Sequence, residues 1–237
     1  MPADVLRLLR EHPPFIHVTG SGERLTWSLS REILEFLDRE VRDGMSTLET
    51  GAGASTIVFA AKGALHRCIV PDQKQVDRIK SYCSEHGIAV GNVDFVIDRS
   101  ERALPKLVEH KYDLVLIDGG HAFPVPFIDF AYTSDRLAVG GVLIVDDTQI
   151  WTGDALYRFL RRQPGWAPIK LTPRTAIFRK TAEQSLEDDW LSQPFIVSAS
   201  RPLMIRMYAL EFARLVVKGE FARALRGTKK ILGQALK

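Results

Sequence analysis

Cysteine is scarce in this chain, with only Cys68 and Cys83 among 237 residues. Two thiols cannot build a disulfide framework, and their spacing is not that of a zinc site. Reduced thiols in a cytoplasmic protein are the expectation. Long apolar runs are missing as well: nothing approaches the roughly 18 residues of a membrane span, so no transmembrane helix is expected. The opening MPADVLRLLREHPP lacks the apolar core of a secretory signal. There is no internal repeat and no low-complexity tract. Net charge is only +3, which is no nucleic-acid polycation, and no RNA- or DNA-binding motif occurs; no nucleic-acid partner is expected.

What is present is ordinary globular composition, 46% hydrophobic and 26% charged. That suffices for one sizeable core and is too short for two large domains. Residues 1–45 read as an N-terminal helical cap. It holds a short helix at Ala3–Glu11, a loop with Pro13, Pro14, Gly20 and Gly22, and a helix at Ser30–Arg42 ended by Gly44. From there the pattern alternates. Apolar runs at Ser46–Glu49, His66–Val70, Val93–Ile97, Asp113–Ile117 and Val142–Val145 are separated by helix-like segments at Ser55–Lys62, Gln75–His86, Arg102–His110 and Val125–Leu137. Short β-branched runs between helices imply βαβ units and a parallel sheet buried on both faces. Ala167–Leu171 and Thr175–Arg179, joined by a turn at Thr172–Pro173, suggest an antiparallel hairpin at the sheet edge. The fold class is therefore α/β, with the sheet domain over 46–182 and a linker plus basic helical extension over 183–237.

The first strand runs into Thr47-Leu48-Glu49-Thr50-Gly51-Ala52-Gly53-Ala54-Ser55-Thr56 and opens a helix. Glycines at that place let the backbone turn tightly and approach a ligand. The third glycine of a dinucleotide fingerprint is absent, because Thr56 stands where it would fall. Glu49 would repel a pyrophosphate but suits a ligand with a cationic amino group, such as S-adenosylmethionine (SAM). A strand–helix turn with no ligand is the plain alternative.

E-T-G-A-G-A-S-T resembles motif I of class I SAM-dependent methyltransferases. The stretch 47–155 is similar to the catechol and caffeoyl-CoA O-methyltransferase group. The resemblance implies a Rossmann-like, seven-stranded, mostly parallel sheet of order 3-2-1-4-5-7-6 with helices on both faces. It also implies Gly51, Gly53 and Ser55 near the methionine part of SAM, oriented by Glu49. The family places an acid at the end of the second strand for the ribose hydroxyls. This chain departs from that around Val70, and Asp72 is the nearest substitute, as a ribose contact or as a helix N-cap. Ser100 and Glu101 would meet the adenine, or cap the next helix.

Two further strands end in carboxylates, at Asp118-Gly119-Gly120-His121 and at Asp146-Asp147-Thr148. On neighbouring strands, Asp118, Asp146 and Asp147 would converge and repel unless a cation lay between them. Mg²⁺ or another divalent cation suits such oxygen donors. The resemblance implies the same metal arrangement, with Asp118 also facing the cofactor. The alternative is that these acids shape the cleft and cap a turn. His121 lies at the offset where the catechol-type enzymes carry a catalytic lysine, and a neutral imidazole keeps a base there. His17 and Trp27 are candidate lid residues; Trp151, Phe123, Pro124 and Pro126 are candidate walls of the substrate side.

Residues 201–237 carry nine basic side chains against Glu211 and Glu220. That segment could pack on a second subunit as a homodimer, or lie on an anionic membrane surface at the inner face. The expected activity is O-methylation of a hydroxyl on a small metabolite or sugar. Two alternatives stand beside it. The scaffold and triad also occur in proteins resembling cephalosporin hydroxylases. A degenerate pocket would leave a scaffold or interaction protein.

Overall fold

The computed structural model describes residues 4–18, 23–25, 29–183 and 189–223. It divides into two units, residues 1–186 and residues 187–237. Trp27 and the basic residues Arg226, Lys229, Lys230 and Lys237 lie outside the described residues.

The first unit opens with α1 (Val5–Glu11), capped by Asp4, whose carboxylate accepts from the Arg7 N–H at 3.0 Å. A two-residue antiparallel pair follows, β1 (His17–Val18) and β2 (Arg24–Leu25), then α2 (Arg31–Glu40). The alternating region comprises β3 (Ser46–Thr50), α3 (Ala54–Ala61), β4 (Leu65–Val70), α4 (Gln73–Glu85), β5 (Val93–Ile97) and α5 (Ser100–Ala103). It continues with β6 (Tyr112–Ile117), α6 (Val125–Ser134), β7 (Leu137–Val145), α7 (Trp151–Leu160) and the hairpin β8 (Trp166–Leu171) and β9 (Ala176–Lys180). The seven-stranded sheet runs β5-β4-β3-β6-β7-β9-β8. Counted from β3, that is the expected order. The first five strands are parallel and β9 is antiparallel to both neighbours.

Strand alternation sends side chains to two cores. Leu114, Leu116, Val142 and Ile144 face Ile33 and Leu37 of α2, Ile57 and Phe59 of α3 and Ile79 of α4. Leu48, Val115, Ile117, Leu143 and Val145 face Leu104, Phe130 of α6 and Leu156 and Leu160 of α7. A strand apolar on both sides has only one stable place, the middle of such a sandwich.

Several element bounds differ from the sequence expectation. The helix read at Arg102–His110 is α5 followed by a 3₁₀ turn at Leu104–Lys106, because Pro105 cannot continue a helix. The helix read to Leu137 stops at Ser134, and β7 begins at Leu137. Helix α7 was not expected at all. In the second unit, α8 (Pro194–Val217) carries Pro202 inside it. It ends ahead of Gly219, which takes φ +74. No α8 residue is buried. Among the described residues, no helix is long and apolar enough to cross a membrane.

Leu116 sits fully buried on the central strand β6. Leu116→Ala is expected to lower unfolding free energy by about 2–5 kcal/mol, read as a reduced urea midpoint at unchanged slope.

Candidate active site

Three strands end level. Thr50 pairs with Ile117, and Ile117 with Val145. The ladder continues one step beyond: the Asp118 N–H donates to the Thr50 carbonyl at 3.1 Å, and the Asp146 N–H to the Ile117 carbonyl at 3.0 Å. Gly51, Asp118 and Asp146 therefore leave the sheet side by side at its carboxyl end, where open parallel sheets receive ligands. A hollow of about 1040 Å³, lined by residues such as Glu109, His110, Tyr132 and Arg136, opens at the opposite end of β6 and holds none of the expected site residues.

The glycine turn has one conformation available. Gly51 takes φ +91, and a Cβ there would sit 2.1 Å from the Asp118 carbonyl oxygen. Gly53 is different: a Cβ would have only His17 Nε2 at 3.8 Å and Ser55 Oγ at 4.0 Å for neighbours. That leaves a cradle over the first turn of α3, whose backbone N–H groups point into it. His17 is brought there by α4, because Arg78 donates to the Ile16 carbonyl at 2.8 Å and Tyr82 to the His12 carbonyl at 2.7 Å.

Glu49 lies beneath the turn, 1% exposed. Its carboxylate accepts from Ser55 Oγ at 2.7 Å and from the Thr56 hydroxyl, while Thr56 Oγ1 accepts from the Gly53 N–H at 3.0 Å. His66 Nε2 stands 3.1 Å from the same carboxylate but off the hydrogen-bonding direction. Its Nδ1 shares a hydrogen bond with Thr47 Oγ1 at 2.8 Å, and its ring stacks on Phe59. Glu49 and Ser55 are thus hydrogen-bonded to each other within the turn they shape. Thr56, the residue in the missing glycine's place, is the knot of this network. Cys68 donates to the Gly51 carbonyl at 3.3 Å. Burial, then the Glu49 charge, pushes its thiol pKa well up, so it is an inert neighbour.

The acids cluster across the shelf. Ligand atoms of Asp118, His121 and Asp147 all lie within 4.8 Å of one another. His121 Nε2 is 2.9 Å from Asp147 Oδ2, and Arg174 Nη2 is 2.7 Å from Asp147 Oδ1. Asp146 accepts from the Thr175 hydroxyl instead. Asp147 adopts φ +51, uncommon for a residue with a side chain. Gly153 of α7 permits the close approach beside it, since a Cβ there would meet the Asp147 carbonyl at 2.5 Å. Thr152 donates to the His121 carbonyl at 2.7 Å, tying the histidine loop to α7.

Electrostatics divide the acids. Burial holds the Asp118 carboxyl well above its ordinary pKa, reinforced by Asp146, Glu49 and Asp147. Burial also raises Asp146, against the Thr175 hydrogen bond. Burial works upward on Asp147 too, but hydrogen bonds from Arg174 and Gln149 and the nearby His121 carry it below its ordinary value. Two carboxylates with an imidazole alongside, all within 4.8 Å, form a donor set that fits a divalent cation. In this geometry the converging trio contains His121, while Asp146 turns to Thr175.

Elsewhere, Asp72 caps α4 by accepting from the Lys74 N–H at 3.0 Å. Ser100 is the first residue of α5 and buried; the cap position itself is Arg99, which pairs with Glu101 at 3.2 Å. Past His121, Phe123, Phe127 and Trp151 form an aromatic rim with centroids 5.9 and 6.3 Å apart. Sequence reading missed Thr56, His66, Asp129, Arg174 and Thr175. Asp129 had a readable signal, an acid among Phe127, Ile128 and Phe130. Arg174 had none, since it meets Asp147 from 27 positions away.

Comparison with known proteins agrees with this geometry. Residues 48–148 match the family model described as a methyltransferase domain. A search of curated proteins finds no match. Among solved structures, TomG of Streptomyces achromogenes, an O-methyltransferase crystallised with SAM, superposes with a TM-score of 0.56 at 16% identity, covering 76% of this chain and 89% of its own. A Staphylococcus aureus protein provisionally assigned as a caffeoyl-CoA O-methyltransferase gives 0.57 at 17%, covering 74% and 91%. Cofactor-bound Rv0187 from MTB gives 0.57 at 18%, covering 76% and 89%. The chain has the class I methyltransferase fold. Its similarity to the methyltransferase-domain model is confined to the central segment, residues 48–148.

Asp129 supplies a test of the floor of this site. It is fully buried on α6, and neither carboxylate oxygen accepts a hydrogen bond from the described residues. Burial pushes its pKa to about 6, opposed by the nearby Ser100 and Thr50 hydroxyls. A raised folded-state pKa means stability is full below the unfolded value of 3.8 and is lost as pH rises through about 6. Asp129→Asn is therefore expected to be more stable than wild type at pH 8, by on the order of 3 kcal/mol. The gain should vanish toward pH 4 in paired urea titrations.

Proposed function

We propose that this protein transfers the methyl group of SAM to a hydroxyl of a small metabolite or sugar, assisted by a divalent cation. One observation carries the proposal: the glycine turn at Gly51–Gly53 and the Asp118–His121–Asp147 cluster leave one sheet edge side by side. The Gly53 cradle supports a cofactor there, and TomG, of the same fold, is an O-methyltransferase crystallised with SAM. The Phe123–Phe127–Trp151 rim supports an acceptor with a flat or apolar face.

SAM, when bound, supplies a methyl group already activated for in-line displacement, so the protein's share is alignment. Asp118 and Asp147 would hold the cation. When bound, a cation would supply Lewis-acid stabilisation of an acceptor oxyanion. With Nε2–H turned to Asp147, 2.9 Å away, the His121 Nδ1 lone pair would be free to take the hydroxyl proton. Thr152 keeps the histidine loop in place for that transfer.

The test is methyl transfer to a panel of catechols and sugars, read by mass as one added methyl with S-adenosylhomocysteine as co-product. EDTA is expected to stop turnover and Mg²⁺ to restore it. Asp147→Asn should lose turnover while calorimetric SAM affinity stays nearly unchanged. His121→Ala should lower kcat by about 10²- to 10⁴-fold and flatten the rising limb of the pH profile. Turnover that persists in EDTA and in Asp147→Asn removes the cation. Absence of SAM binding at high micromolar concentration removes the methyltransferase reading itself.

A further inference from the structure

Both oxygens of Asp147 are already taken by the chain's own donors. Arg174 and Gln149 share Oδ1, at 2.7 and 2.5 Å, and His121 stands 2.9 Å from Oδ2. Arg174 reaches this place because the tip of the β8–β9 hairpin is locked. Within the tip, the Thr172 N–H donates to the Thr175 carbonyl and the Thr175 N–H to Thr172 Oγ1, each at 2.9 Å. The tip is then pinned to the acid loop, because the Thr148 N–H donates to the Arg174 carbonyl at 2.8 Å. The guanidinium side chain is nevertheless 52% exposed, so it can leave without opening the core. Its charge opposes that of Asp118 and Asp146 as well as Asp147.

A guanidinium and a divalent cation cannot share one carboxylate edge: they repel each other, and each demands the same oxygen lone pairs. We propose that Arg174 is a resident counter-ion that competes with a divalent cation for Asp147, so that the cation seats only as the guanidinium withdraws. The inference rests on the cation reading above and adds a residue that sets the site's affinity. In the free protein Arg174 keeps the acid cluster compensated. With the cation seated, the same side chain stands released at the mouth of the acceptor site.

The experiment measures Mn²⁺ binding to the full chain by calorimetry and by the electron-spin signal of free Mn²⁺. Wild type, Arg174→Ala, Arg174→Lys and Asp147→Asn are compared. Arg174→Ala is expected to bind Mn²⁺ roughly fivefold or more tightly than wild type, the scale of one charge-assisted but half-exposed pair. Arg174→Lys keeps the charge and should stay close to wild type, and Asp147→Asn should lose the site. Without metal, Arg174→Ala should melt at a lower temperature than wild type, and Mn²⁺ should close the gap; a purely structural arginine would leave the gap open. Equal or weaker binding by Arg174→Ala, with wild type still binding through Asp147, overturns this inference and leaves the cation reading standing. No Mn²⁺ binding by either protein overturns both.

Discussion

Everything at the site depends on the register between β3, β6 and β7. Parallel ladders fix that register through evenly spaced backbone hydrogen bonds. Here Thr50, Ile117 and Val145 reach the sheet edge at one level. A slip of one residue would turn Leu114 and Leu116 into the core that now holds Val115 and Ile117. It would also carry the acids off the shelf. The two cores on either side of the sheet therefore place the chemistry, although none of their side chains takes part in it.

The polar residues below the shelf work by constraint. Glu49 gains hydroxyl hydrogen bonds from Ser55 and Thr56, and Thr56 in turn holds the Gly53 N–H. Such a satisfied network makes the turn one shape instead of several, because each member left unpaired in the interior would cost on the order of 1–3 kcal/mol. Across the shelf, Asp147 is the only one of the three clustered aspartates whose pKa is held below its ordinary value. It is also the acid that meets a guanidinium and an imidazole. The two sides differ in kind: one is rigid and sealed, the other is charged and open to exchange.

Much of this could be read in the sequence, for identifiable reasons. The buried β-branched runs and the glycine turn are local signals, so the strands and the positions of Gly51, Asp118, Asp146 and Asp147 could be read before coordinates, while the strand order came from the family resemblance. The length of α5 was misread where Pro105 outweighed helical period, and α7 was missed because Trp151–Leu160 begins almost directly after the acids with no conventional cap. Asp72 and Glu49 show a different limit. For Asp72 the cap on Lys74 was one of the two readings, whereas the direction of the Glu49 carboxylate is decided by Ser55 and Thr56, which reach back to it only once the glycine turn has folded. The contact between Arg174 and Asp147 is the extreme case, since it is made by a hairpin folding back over the sheet edge.

The aromatic rim of Phe123, Phe127 and Trp151 sits on segments that follow the strands and takes no part in the ladder. Phe123 and Trp151 are mostly exposed. Their replacement therefore carries little folding penalty, whereas any change at Gly51 or Thr56 disturbs the interior. The rim can thus vary while the glycine-turn side of the shelf stays constant. A scaffold partitioned in this way can diversify its chemistry of recognition without first risking its ability to fold.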